Sequence, residues 1–134
     1  MAIVASSLYP FDETVSRLRG TIIGAGNTVF ATIDQSNAAT TVGLTLRPTT
    51  LIVFGNPKAG TGLMQRFPPI ALELPLKIAV WEEAGTVSIA YTPMSELAAR
   101  YGVSATDPVV RAIDGNLAAL AESVCSPPRP TSAA

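Results

Sequence analysis

Apolar residues recur along this chain with two different periods, and the change from one period to the other predicts a mixed α+β protein. Five segments are rich in β-branched and apolar residues and are predicted as strands: 3–8, 28–33, 49–54, 74–82 and 86–91. The clearest helix starts at Asp107-Pro108, because apolar residues follow it at spacings of three and four. That predicted stripe consists of Val110, Ile113, Leu117, Leu120 and Val124.

Start and stop signals predict the remaining elements. A first helix begins at Pro10 and ends at Gly24. Asp34 is predicted to cap a weak helix that Gly43 closes. The two strands around residues 84–85 are predicted to form a hairpin, because Ala-Gly suits a tight turn. A further helix is expected to start at Pro93.

The stretch LIVFGNPKAGTGLMQ at residues 51–65 combines a strand, a glycine-rich loop and a helix start. Thr61 is predicted to cap a short helix, and Gly60 permits a positive φ. Free N–H groups, the positive end of a helix and Lys58 predict an anion site there. It is not a P-loop, because a P-loop requires Lys and then Ser or Thr directly after its second glycine.

The predicted ligand site consists of residues of this stretch together with two residues that follow the second strand. Its members are Gly55, Asn56, Lys58, Gly60, Thr61, Asp34, Gln35 and Met64. The plainer alternative is a tight strand-to-helix turn, in which the glycines serve geometry and Lys58 is solvated. Catalytic residues cannot be named from the sequence.

The length of 134 residues predicts one domain, over residues 1–125, followed by a loose proline-rich tail at 126–134. Charged residues make up only 14% of the chain, against about 25% in a typical soluble domain. Another copy of the chain is therefore expected to cover part of the surface, as a homodimer. The final helical stripe and the edge of the hairpin are the surfaces predicted for this contact.

Composition argues against several function classes. The chain has no histidine and one cysteine, Cys125, which is predicted to pack rather than react, so no transition-metal site and no cofactor are expected. The net charge is −1 and the basic residues are scattered, which disfavours nucleic-acid binding. No run of about 20 apolar residues and no signal-peptide pattern occur, so we expect no membrane span and a cytoplasmic location.

The motifs FDETVSRL, GLTLRPTTLIVFGNPKAGTGLMQ, LELPLKIAVWEE and SELAARYGV resemble domain-of-unknown-function family 302 over nearly all of residues 5–125. The resemblance implies an α+β fold similar to that of the TATA-binding protein, with one antiparallel sheet and helices mainly on one face. It implies no established activity. Family members often carry Asp-His after the second strand, where this chain has Asp34-Gln35.

Two functions remain open from the sequence. The first is a homodimeric binding module for a small anionic or amphipathic ligand near Asn56, Lys58 and Thr61. The second is a small enzyme in which Asp34 or a glutamate acts as acid or base and the loop forms an oxyanion site. The candidate glutamates are Glu73, Glu82 and Glu83. The lack of histidine and of a recognisable nucleophile motif favours the binding module.

Overall fold

Five strands form one antiparallel sheet in the order β1-β5-β4-β3-β2 in the computed structural model, which describes residues 1–125. The strands are β1 Ile3–Ser6, β2 Thr28–Asp34, β3 Thr49–Gly55, β4 Leu76–Glu83 and β5 Thr86–Tyr91. The helices are α1 Phe11–Gly24, α2 Gln35–Thr41, α3 Pro57–Arg66, α4 Met94–Ala99 and α5 Pro108–Cys125, with a 3₁₀ helix at Pro68–Glu73. The α+β class with a single antiparallel sheet is confirmed. The predicted tail at 126–134 lies outside the described residues.

The two faces of the sheet have different surroundings. Alternate residues of β3, β4 and β5 are buried together with α1 and α5, so one face carries the core. The core side chains of the strands are Ile52, Phe54, Leu76, Ile78, Val80, Val87, Ile89 and Tyr91. The residues between them, including Leu51, Ala79 and Trp81, point to the other face and stay partly exposed. We call this second surface the open face.

Several local predictions are confirmed. The stripe of α5 is buried along its whole length. Asp34 caps α2, because its Oδ1 accepts a hydrogen bond from the N–H of Asn37 at 2.9 Å. β4 and β5 form a hairpin whose turn residues, Ala84 and Gly85, have φ values of 51° and 80°. These positive φ values are those that a tight two-residue hairpin turn requires.

The predicted start of α3 is wrong. The helix begins at Pro57 rather than after Thr61, because Asn56 Oδ1 accepts from the N–H of Lys58 at 3.0 Å and Pro57 is suited to a first turn. Gly60 therefore lies inside the helix and has no positive φ. Lys58 belongs to the first helical turn and not to a loop.

Neither surface predicted for a homodimer contact is available. The stripe of α5 faces the sheet of its own chain and is buried there. The hairpin has no free edge, because β3 pairs with β4 and β1 pairs with β5. The edges of the sheet are instead β1 and β2.

Candidate functional site

A cavity of about 360 Å³ lies where β3 ends and α3 begins. Its walls come from β2, β3, α3, the segment before β4, and α5. Most of the lining is apolar: Phe30, Phe54, Pro57, Ala59, Met64, Leu74, Pro75, Leu76, Ala112 and Ile113. Gly55 and Gly60 complete the wall, and the polar side chains are those of Asn27, Asn56 and Asn116. A volume of this size suits a small organic molecule.

A β-bulge places Phe30 in the cavity wall. Val29 pairs with Phe54 and Ala31 pairs with Val53, so Phe30 has no partner in the ladder. A bulge on an edge strand changes the direction of the extra side chain. Phe30 remains 52% exposed, although it is a large aromatic residue. Its ring therefore stands at the mouth of the cavity and can contact an apolar ligand.

Two glycines leave the cavity open. A Cβ atom at Gly60 would lie 3.8 Å from both Leu74 Cδ1 and Met64 Cε. A Cβ atom at Gly55 would lie 3.8 Å from Phe30 Cε2 and 3.9 Å from Pro75 Cβ. These are ordinary van der Waals distances to atoms of the cavity lining, so a side chain fits at either position. It would occupy space that is now empty.

Three asparagine amides supply the polar groups of the cavity. Asn56 uses its carbonyl oxygen to cap α3, which leaves its NH₂ group as a donor. The side chains of Asn27 and Asn116 make no hydrogen bond within residues 1–125. These residues come from the turn before β2, the start of α3 and the middle of α5. The fold thus collects neutral donors and acceptors around an apolar space.

Some predicted site residues of α3 point away from the cavity. Gly60 and Met64 are four residues apart, so they share one side of the helix and line the cavity. Lys58 and Thr61 share a different side, and both are exposed. The N–H of Lys58 binds Asn56 Oδ1 and the N–H of Gly60 binds the Asn56 carbonyl. The start of the helix is therefore largely satisfied by its own cap.

Asp34 and Gln35 lie at the other end of the β2–β3 ladder. Asp34 pairs with Thr50, whereas Gly55 pairs with Thr28. The six residue steps of β2 between these pairs span about 20 Å. The hydroxyl of Ser36 donates to Asp34 Oδ1 at 2.7 Å, and this bond, followed by the Asn37 N–H, lowers the pKa of Asp34. Asp34 is thus an ionised helix cap, remote from Gly55 and Asn56.

The candidate glutamates do not join the cavity either. Glu82 and Glu83 end β4 beside the hairpin turn, at the same end of the sheet as Asp34. Glu73 precedes the cavity residue Leu74, but its Oε1 binds the hydroxyl of Tyr101 at 2.9 Å and Arg100 at 3.2 Å. Burial, and then this bond to Glu73, raise the pKa of Tyr101.

Cys125 packs against the core, as predicted, and burial raises the pKa of its thiol. A raised pKa lowers the thiolate fraction and with it the reactivity. Within residues 1–125, no group of three or more His, Cys, Asp or Glu side chains is arranged to hold a metal ion. In the same part of the chain, every helix is too short or too polar to cross a membrane.

Sequence reasoning missed several cavity residues, among them Asn27, Phe30 and Asn116. The sequence places Asn27 only in a turn, and Asn116 lies beside the buried α5 residues Ile113 and Leu117. A polar residue next to an apolar stripe is a weak signal, since most such residues are simply solvated. The bulge at Phe30 has no signal in the local residue pattern.

The family described as "Domain of unknown function DUF302" matches residues 3–121. A crystal structure of an uncharacterized conserved DUF302 protein from Bacillus stearothermophilus superposes with a TM-score of 0.84 at 20% identity. That match covers 92% of this chain and 97% of the other. At this identity the similarity establishes the fold.

Curated relatives are longer than the matched region. A protein named fluoride-specific ion channel FluC 1 from Brucella suis is 34% identical over 108 residues, which are 80% of this chain and 42% of the relative. A protein with the same name from Brucella abortus is also 34% identical, with 40% of its length matched. The chain thus spans less than half of these relatives. The match over residues 3–121 and the shared fold place this chain in the DUF302 family.

Proposed function

We propose that this DUF302 domain is a homodimeric binding module for a small molecule with an apolar body and a neutral polar group. The proposed site is the cavity of about 360 Å³ beside the start of α3. The observation that carries the proposal is the combination of apolar walls with three asparagine side chains in the lining. Ligand pockets commonly have this composition, because apolar contacts supply affinity and a few polar groups fix orientation.

The lining favours a neutral ligand over an anion. Among residues 1–125, none of those that line the cavity is charged. An ionised group that enters an apolar space loses hydration, and only a nearby opposite charge or several hydrogen bonds offset this loss. Lys58, the cation expected to attract an anion, lies on the outer side of α3. Asn27, Asn56 and Asn116 can instead bind an amide, a hydroxyl or a carbonyl oxygen.

The placement of the carboxylates favours binding over catalysis. An acid or base must lie within about 3 Å of the proton that it transfers. Asp34 lies about 13 Å along β2 from the cavity residue Phe30 and about 20 Å from Thr28, the partner of Gly55. Glu73 is engaged by Arg100 and Tyr101. The name of the Brucella relatives adds no support to either function, because this chain corresponds to less than half of their length.

Benzamide and benzoate test the proposal as a matched pair, since they differ in charge but hardly in shape. Protein NMR should detect benzamide at the side-chain amides of Asn27, Asn56 and Asn116, with a dissociation constant on the order of 1 mM for so small a ligand. Benzoate should bind at least about fivefold more weakly. Lys58→Ala should leave benzamide binding unchanged.

The opposite pattern would support the anion site on the outside of α3. In that case benzoate binds more tightly than benzamide, its resonances map to Lys58 and Thr61, and Lys58→Ala removes it. If both probes shift only residues on the open face, the cavity is not the binding site.

A further inference from the structure

The open face of the sheet carries a cluster of apolar residues that no helix covers within residues 1–125. Antiparallel sheets with one solvated face alternate between apolar and polar residues. Here apolar residues occupy the middle of the open face: Val4, Ala31, Ile33, Leu51, Val53, Ala79, Trp81 and Ala90. The polar residues of this face are Ser6, Thr28, Thr49, Lys77, Glu83, Thr86 and Ser88. Val4 is 59% exposed and Ile33 is 42% exposed. A contiguous apolar surface of this kind typically marks an interaction site.

The central strand β4 has a pattern that is complementary to itself. Its open-face residues are Lys77, Ala79, Trp81 and Glu83, in that order. When two copies of this pattern run antiparallel about Val80, Lys77 meets Glu83 and Ala79 meets Trp81. Each half of the contact therefore brings together one pair of opposite charges and one pair of a small and a large residue. A parallel arrangement would instead oppose each residue to itself.

A hollow that opens on the same face, at the end of the sheet where β4 begins, suits the large residue of this pattern. A depression of about 450 Å³ is lined by Leu51, Ala79 and Ala90 from the open face, and it extends around the end of the sheet to Leu76, Tyr91 and Leu117 of the core. Leu97 and Arg100 line it from the end of the sheet where β4 begins. The antiparallel arrangement directs the indole of a second copy towards Ala79 and thus into this depression.

We propose that the open face binds the open face of a second copy, with the two β4 strands antiparallel and a two-fold axis passing near Val80. The two-fold axis lies between the sheets and crosses the strands, as an isologous contact requires. Two sheets packed in this way stand about 10 Å apart and interdigitate their side chains. This assignment rests on the proposed homodimer and names its surface.

The size of the face indicates a weak dimer. Five strands spaced about 4.8 Å apart and about 20 Å long give a footprint of roughly 500 Å² per copy. This lies at the small end of specific interfaces. We therefore expect a dissociation constant on the order of 10 µM, in a range that dilution can resolve.

Charge reversal tests the arrangement. Sedimentation of the full chain should give twice the 13.9 kDa protomer mass at high concentration. Lys77→Glu and Glu83→Lys should each weaken the dimer about tenfold, because like charges then face each other twice. Glu83 also lies 3.6 Å from Arg47 of its own chain, so the effects of the two single changes need not be equal. The double variant should return to within about threefold of the wild type.

Trp81 provides a second readout, because it is the one tryptophan of the chain. Its emission should shift to longer wavelength on dilution, with the same midpoint as the change in mass. Arg111→Glu is the matched control, since Arg111 is exposed on α5 and its reversal should change neither signal.

Three outcomes would overturn the proposal. They are a monomer at about 200 µM, well above the expected range; a dimer that neither single reversal weakens; and a double variant that is no tighter than the weaker single one. A monomer whose Trp81 emission is already that of a buried indole would likewise show that the open face is not a contact between two copies. Benzamide binding is scored separately, because the cavity lies on the helix-covered side of the sheet.

Discussion

A helix N-cap lies near each end of β3, but the two caps have different surroundings. At one end, Asp34 caps α2 through Asn37; at the other, Asn56 caps α3 through Lys58. The Asp34 carboxylate also binds Ser36, so its local partners engage it. The Asn56 amide keeps a free donor beside an apolar cavity of about 360 Å³. The difference indicates that the cavity, rather than the polar residue or its charge, distinguishes a candidate site from a helix cap.

The largest expected effect comes from filling the cavity. Ala112 is exposed on α5 and lines the mouth of the cavity. Ala112→Trp should place an indole over the cavity and weaken benzamide binding beyond detection, at least about 100-fold, because the ligand would lose most of its buried contact area. Isothermal titration or NMR measures this loss.

Ala118→Trp is the control for that change. Ala118 is also exposed on α5 but does not line the cavity. Its replacement should leave benzamide binding intact. Equal binding by the wild type and Ala112→Trp would place the ligand elsewhere.

The cap and the donor of Asn56 can be separated. Asn56→Ala should lower the free energy of unfolding by about 1 kcal/mol, the usual cost of losing an N-cap, and should also weaken benzamide. Asn56→Asp should keep the cap and the stability, because Asp is an equally good N-cap, but it removes the NH₂ donor. Urea unfolding measures the stability of both variants, and titration with benzamide measures their affinity for the ligand. Unchanged benzamide affinity in Asn56→Asp would remove Asn56 from the site.

Much of the fold, and little of the cavity, followed from the sequence. The α5 stripe, the β4–β5 hairpin and the Asp34 cap depend on residues close in the chain, so local patterns predict them. The predicted start of α3 is wrong because two glycines lower the expected helix content, whereas Asn56-Pro57 fixes the first turn.

The cavity depends on distant contacts. It joins Asn27 to Asn116 through packing of α5 near the ends of β2 and β3. It also needs the bulge at Phe30, which only the register of β2 on β3 defines. Lys58 points outward because α3 begins at Pro57, and the start of a helix determines which side each of its residues faces. The sequence pattern indicates a loop at Lys58, for which no such direction can be predicted.

The Asp34 end should respond to pH but not to ligand. Hydrogen bonds lower the pKa of Asp34 in the folded state below its pKa in the unfolded chain. The ionised carboxylate therefore stabilises the fold at pH values above the unfolded-state pKa, and this stabilisation is lost as the pH falls through the folded-state pKa. Asp34→Ala should therefore melt earlier than the wild type at pH 7, with the difference shrinking below about pH 4.

Asp107 also has a lowered pKa, caused first by its hydrogen bond from Arg66. Because the wild type and Asp34→Ala both contain Asp107, its effect does not contribute to the difference between their melting temperatures. Benzamide affinity should be the same in the wild type and Asp34→Ala at pH 7. A melting difference independent of pH would mean that the carboxylate charge contributes nothing to the α2 cap. Loss of benzamide binding in Asp34→Ala would instead connect the two ends of β3.

The smallest expected effect concerns Gly62, which lies inside α3. A Cβ atom added there would meet no side chain of a non-adjacent residue within 4 Å, among residues 1–125. Gly62→Ala should raise the free energy of unfolding by about 0.5–1 kcal/mol, because alanine loses less backbone entropy in a helix. Chemical unfolding measures this gain. A loss of stability would show that the helix needs the glycine there.

The central claim is that the empty space beside α3 holds a ligand, and Gly60 tests it most directly. An unbiased fragment screen by protein NMR on the wild type, Gly60→Ala and Gly62→Ala compares one added methyl group inside the cavity with one outside it. Both variants should be as stable as the wild type or more so. We predict that fragments cluster at Asn27, Asn56 and Asn116, weaken severalfold or more in Gly60→Ala, and bind unchanged in Gly62→Ala. Fragments that bind Gly60→Ala as tightly as the wild type, or that never map to the cavity, would contradict the account.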